Sequence, residues 1–142
     1  MIGLDTNVLA RYYVEDASDP ESTLQREAAR RLIDSGTRLA VSKSVLLELE
    51  WVMRGYYEFA PARIARALRH LSALPQVELE DRAAVEAALS HYEAGLDFAD
   101  AIIASTAVIG DLMLVTENAA PFPMPEVRLL TPRNGSWANP KP

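Results

Sequence analysis

Residues 1–13 read MIGLDTNVLARYY. Ile2 and Leu4 suit a buried strand, and Gly3 between them lets backbones approach closely. Asp5, Thr6 and Asn7 are poor strand residues but good residues for a turn and a helix start. The segment therefore predicts strand, turn, helix. In an open parallel sheet the crevice beyond the carboxyl ends of the strands is where ligands bind, and an aspartate placed there faces it. Asp5 is thus either a site residue or only the cap of the helix that begins at Thr6.

The same punctuation continues downstream. Asp19 as N-cap and Pro20 at the first helical position open a helix that Ser35-Gly36 ends. Residues 38–42 (RLAVS) form a second short strand, and 42–57 (SKSVLLELEWVMRGYY) a helix. Another helix starts near Pro61, and 77–81 (VELED) is a third strand. Residues 82–95 predict an alanine-rich helix closed by Gly95, and 96–110 a helix closed by Gly110. Residues 112–116 (LMLVT) and 127–131 (VRLLT) supply the fourth and fifth strands. Strands alternating with helices imply an α/β fold, a three-layer α/β/α sandwich with a central parallel sheet. Six of the nine prolines lie beyond residue 120, so 119–126 is expected to be an irregular connection and 132–142 a loose tail after a single domain, 1–131.

Composition narrows the chemistry. A chain of 142 residues, about half of them hydrophobic, is enough for one domain with a core and short for two. No apolar run reaches the roughly 18–20 residues that span a bilayer and no secretory leader is visible, so a soluble cytoplasmic protein without membrane attachment is expected. With no cysteine and only His70 and His91, a thiolate or histidine zinc cluster is excluded, and any metal must be held by oxygen. Asp and Glu outnumber Lys and Arg by 20 to 14, which argues against a generally nucleic-acid-attracting surface but not against a local basic face.

The carboxylates fall in a pattern. On the helix of residues 42–57, Val45, Leu46, Leu49, Val52 and Met53 share one arc at about 100° per residue. Glu50 borders it with Arg54 four residues on as a surface partner, whereas Glu48, on the stripe of Ser44, has no local partner and either reaches water or serves a site. Leu47 and Trp51 form a second apolar patch, for packing against the next helix or a subunit contact. Asp97 and Asp100 stand in the first turn of a helix whose neighbouring positions, Ala101, Ala104 and Ala107, are small; helix capping and the helix dipole also explain them. Thr116-Glu117-Asn118 end an apolar strand, again at its carboxyl end. Arg63, Arg66 and Arg69 lie within about a third of the circumference of one helix, a phosphate-contacting stripe or a solvated face.

These residues together resemble the PIN-domain ribonucleases, in particular the VapC-type toxins of toxin–antitoxin pairs. The resemblance rests on LDTNVLARYY (4–13), VSKSVLLELEWVMR (41–54), DFADAIIASTA (97–107) and LMLVTEN (112–118), and covers the chain to about residue 131. It implies a Rossmann-like α/β/α fold and an acidic site holding Mg²⁺ or Mn²⁺ for endonucleolytic cleavage of RNA. Asp5, Glu48 and Asp100 match the acidic metal-binding and catalytic positions, with Thr6, Ser44, Asp97, Thr116 and Asn118 in support. It further implies a VapB-like antitoxin as partner and a homodimer. Where many members carry a fourth acid, this chain has Asn118, a neutral oxygen ligand that lowers the site's charge and puts a second metal ion in doubt. That departure keeps open a catalytically lapsed module that binds RNA or a protein. Phosphoryl transfer through an aspartyl nucleophile fits less well, because Asn7 stands where such hydrolases place a second Asp and the only lysines are Lys43 and Lys141.

Overall fold

The computed structural model describes residues 1–16 and 18–131, so the tail expected at 132–142 lies outside the described residues. Backbone contacts divide the chain into two compact units, Met1–Arg82 and a second beginning at Ala83. Among the described residues, parallel strands and six α-helices place it in the α/β class expected.

In the first unit β1 (Ile2–Gly3), β2 (Leu39–Val41) and β3 (Val77–Leu79) form a parallel sheet in chain order. Gly3 pairs with Ala40 and Ala40 with Glu78, which sets these three residues on one face. Leu39, Val41, Val77 and Leu79 point the other way and are buried. Helices α1 (Thr6–Tyr13) and α2 (Pro20–Asp34) connect β1 to β2, and α3 (Lys43–Trp51) and α4 (Pro61–Ala73) connect β2 to β3. Their local signals are met: Asp19 accepts the Glu21 N–H at 3.0 Å, and Gly36, at φ +79°, takes the left-handed conformation just after α2. Leu9, Ile33, Leu46, Leu49, Ile64 and Leu71 are each at most 2% exposed and form the core of this unit, so truncating any one to alanine costs about 2–5 kcal/mol.

Two local expectations are corrected. The helix expected over 42–57 ends its α-helical part at Trp51 and continues as one π-helical turn, Val52–Tyr56. There the Tyr57 N–H reaches back five residues to the Val52 carbonyl at 3.1 Å, so one extra residue is accommodated in the turn. Glu50 is not a surface residue: its side chain is 5% exposed and Arg54 Nε bonds it at 2.8 Å, while Val45 and Val52 are only half-buried. Pairing with the longer, more exposed Arg54 side chain is what allows the acid to turn inward. Gly110 caps the end of α6 as expected, at φ −80°, and Asp111 after it takes the left-handed conformation at φ +54°.

The second unit contains α5 (Arg82–Glu93), which starts at the unit boundary, α6 (Phe98–Ile109) and the parallel pair β4 (Leu114–Val115) and β5 (Leu129–Leu130). Gly95, at φ +109°, closes α5 as expected. Ala104, Phe122, Met124 and Val127 form a buried cluster with Leu96, Leu114 and Leu129 packed against it. The proline-rich connection is therefore irregular but not idle. Its Pro-Phe-Pro-Met-Pro alternation buries Phe122 and Met124 while Pro123 and Pro125 face out. Among the described residues no helix is long and apolar enough to cross a membrane.

Candidate metal and active site

Asp5 stands just past β1, after Leu4, whose N–H donates to the Ala40 carbonyl at 2.9 Å. It is the N-cap of α1: its extended backbone (φ −98°, ψ 175°) lets Oδ1 accept the Val8 N–H at 3.2 Å. This satisfies one orphan donor of the helix. The residue is exposed, so the carboxylate keeps access to solvent while its orientation is fixed from below. Thr6 beside it is 5% exposed and belongs to the helix's buried side.

Glu48 stands on the exposed side of α3, and so does Ser44 one turn earlier. The start of α3 is capped by Ser42, whose Oγ accepts the Val45 N–H at 3.2 Å. Helix α3 packs on α1, so the elements that carry Asp5 and Glu48 are neighbours. A cavity of about 620 Å³ opens over the strand ends, lined by Gly3, Leu4, Ala40, Val41, Ser42, Glu78, Leu79 and Glu80. Glu80 is the acid that sequence reasoning passed over. It follows β3 as Asp5 follows β1, and its Oε1 accepts the Lys43 N–H at the start of α3 at 2.9 Å. The neighbouring Asp81 pairs with Lys43 Nζ at 3.1 Å. The acids ending VELED carried the same signal as the aspartate ending MIGLD.

In the second unit Asp97 caps α6, its Oδ2 accepting the Asp100 N–H at 3.1 Å. The two carboxylates are thus brought onto one helix turn. Burial, and after it the Asp97 charge, pushes the Asp100 carboxyl above the usual carboxylate range. A carboxylate whose charge is disfavoured in this way gains from a cation. Thr116 and Asn118 form a closed turn. Thr116 Oγ1 donates to the Asn118 carbonyl at 3.0 Å and accepts the Asn118 N–H at 3.2 Å, while Asn118 Oδ1 accepts the Ala120 N–H at 3.1 Å. One lone pair of the Asn118 side-chain oxygen is thus engaged by the backbone, and Glu117 beside it is exposed.

Of the three arginines on α4, Arg63 and Arg66 are exposed and Arg69 is half-buried. The Arg63 guanidinium lies 3.7 Å from the centre of the Phe59 ring. Among the described residues no three His, Cys, Asp or Glu side chains are gathered closely enough to hold a metal ion. Asp5, Glu48 and Asp100 each offer carboxylate oxygens, which suit a hard divalent cation better than zinc.

Compared with known proteins, residues 2–123 match the family model described as PIN domain. Among solved structures the chain is similar to a toxin–antitoxin complex from Klebsiella pneumoniae, at 22% identity over 89% of this chain and 95% of that one, with a TM-score of 0.33. No curated protein matches.

Proposed function

We propose a function from one premise: the chain belongs to the PIN domain family, whose model spans residues 2–123. PIN domains are generally nucleases, and this chain is read as a metal-dependent endoribonuclease that hydrolyses RNA phosphodiester bonds. By its resemblance to VapC-type proteins it is the toxin of a VapBC-type pair, with a VapB-like antitoxin as partner and a homodimer as its assembly. The observation that carries the reading is Asp5, fixed at the carboxyl end of β1 by its own cap bond and exposed to solvent.

Asp5, Glu48 and Asp100 are the residues assigned to hold Mg²⁺, or Mn²⁺ in its place. When bound, such a cation polarises the phosphate and makes a water nucleophilic at neutral pH. The protein's share is to present the carboxylates. Capping orients Asp5, and burial first, then the Asp97 charge, disfavours the ionised form of Asp100, a penalty that a bound cation would offset. Asp97 supports these elements through its cap and Thr116 and Asn118 through their turn, and Thr6 and Ser44, beside Asp5 and on the stripe of Glu48, are assigned supporting roles. Exposed Arg63 and Arg66, with Arg69 on the same helix, supply the positive charge a phosphate backbone needs.

A second reading is favoured by one observation. Asn118 replaces the acid many relatives carry, and its Oδ1 accepts the Ala120 N–H. In that reading the chain is a lapsed PIN-like module that binds RNA or a protein. Incubating a labelled pool of tRNA and structured RNA with the wild-type protein and with Asn118→Asp, each in Mg²⁺ and in Mn²⁺, separates the two. The nuclease reading expects the wild-type protein to cut in a manner that EDTA abolishes. Cleavage only by Asn118→Asp assigns the lapsed module instead.

A further inference from the structure

Of the Leu47–Trp51 patch, Leu47 is half-buried and Trp51 is exposed. Trp51 is 61% exposed and Tyr56, on the π-helical turn, is 73% exposed. Both line a cavity of about 340 Å³ together with Asn7, Arg11, Asp16 and Asp19. Tyr56 is one end of a run of aromatic contacts, with Tyr56 and Tyr57 ring centres 4.8 Å apart and Tyr57 and Phe59 5.9 Å apart. At the other end the run is already capped by a cation, the Arg63 guanidinium over Phe59 at 3.7 Å. The end at Tyr56 and Trp51 is open.

We propose that this open end binds an arginine side chain presented by a partner protein, the guanidinium lying on Trp51 and Tyr56 with Asp16 and Asp19 as its counter-charges. Tryptophan is the best ring for a cation, and exposed Trp and Tyr beside opposite charge are what an arginine anchor needs. The charge around the cavity favours this occupant. Arg11 also lines the cavity; its guanidinium bonds at 3.0 Å to Ser22 Oγ on α2 and its charge acts on Asp16, so two carboxylates share one cation and a negative charge is left over. Asp16 accepts hydrogen bonds from the Ser18 N–H and hydroxyl, which hold it ionised. Asp19 uses Oδ1 for the Glu21 N–H and presents its other oxygen. The same carboxylates repel a phosphate backbone, so the polymer that fits is a basic protein segment and not RNA. This surface contains none of Asp5, Glu48 and Asp100, and the proposal holds whether or not the chain cleaves RNA.

The test follows the Trp51 indole N–H of the intact protein by ¹H–¹⁵N NMR, assigned with Trp51→Phe, during titration with N-acetylarginine amide. Its citrulline counterpart, alike in shape but uncharged, and adenosine monophosphate are titrated in parallel. A saturable shift with the arginine probe and none with citrulline is the expected result. Asp16→Asn combined with Asp19→Asn should weaken the arginine response about two- to fivefold while the rest of the spectrum keeps its dispersion. Equal shifts from arginine and citrulline, or an arginine response unchanged in the double variant, overturn the proposal. A shift with adenosine monophosphate and none with arginine also overturns it and assigns the rings to a nucleobase.

Discussion

Asparagine and alanine at position 5 separate the two duties assigned to Asp5. As N-cap, its Oδ1 accepts the Val8 N–H at 3.2 Å. Asparagine retains an oxygen in that place, whereas alanine leaves the N–H to water. Losing an N-cap of this kind costs about 1 kcal/mol, and losing the negative charge at the helix N-terminus adds roughly 0.3–0.5 kcal/mol. Asp5→Ala should therefore be destabilised by about 1.5 kcal/mol and Asp5→Asn by under about 0.5 kcal/mol. For a chain of 142 residues the alanine loss corresponds to a Tm lowered by about 3–6 °C. Urea unfolding followed by far-UV circular dichroism measures both. Calorimetric titration with Mn²⁺ measures the second duty, for which the account expects the two variants to fail alike, because neither carries a carboxylate. If Asp5→Asn unfolds as early as Asp5→Ala, the cap bond is not what orients this residue. If Asp5→Asn binds Mn²⁺ as well as wild type, Asp5 is a cap and nothing more.

Other perturbations test the surrounding structure. Arg54→Ala strips buried Glu50 of its 2.8 Å partner; with Arg54 itself half in water, the loss should fall between the exposed and fully buried limits, at about 2 kcal/mol in urea unfolding. Adding Glu50→Gln should recover part of that loss, and no recovery would show that the charge is not what suffers. Asp100 is raised by burial first and by Asp97 second. The folded chain therefore binds this proton more tightly than the unfolded chain does, so the group adds stability as pH falls through its raised pKa and detracts from it at neutral pH. Asp97→Asn, which can still cap α6, should move the Asp100 midpoint down in carboxyl-detected NMR; a fixed midpoint would remove Asp97 as a cause. Ser105 Oγ is buried without a hydrogen-bond partner, so Ser105→Ala should leave stability unchanged or raise it by up to about 1 kcal/mol. A loss above that range in thermal unfolding would mean the hydroxyl is satisfied by bound water.

What could be read from the chain was local. Asp5, Asp19 and Asp97 each precede a helix whose first free N–H groups lie two or three residues away, and the caps at all three follow from side-chain reach alone. The parallel direction of β1, β2 and β3 follows from strands separated by helices, though each strand proved two or three residues long. The misses required tertiary knowledge. A helical wheel assigns Glu50 to the edge of the core; only packing decides that Val45 and Val52 stay half-buried while Glu50, neutralised by Arg54, goes in. The π-helical turn after Trp51 depends on where the Tyr57 N–H finds its carbonyl, which no periodicity announces. That Asn118 Oδ1 accepts the Ala120 N–H was likewise not legible before the fold. Glu80 was legible by the same reasoning as Asp5, since both acids follow a short apolar strand.

The central claim is that Asp5 serves metal-dependent RNA cleavage. Its most direct test is the cutting rate of a labelled tRNA and structured-RNA pool in Mg²⁺ by wild type and by Asp5→Asn, the variant that keeps the cap. The account predicts cleavage by wild type, none in EDTA, and a loss of at least about a hundredfold in Asp5→Asn. Equal rates for the two proteins, or cutting that survives EDTA, would contradict it.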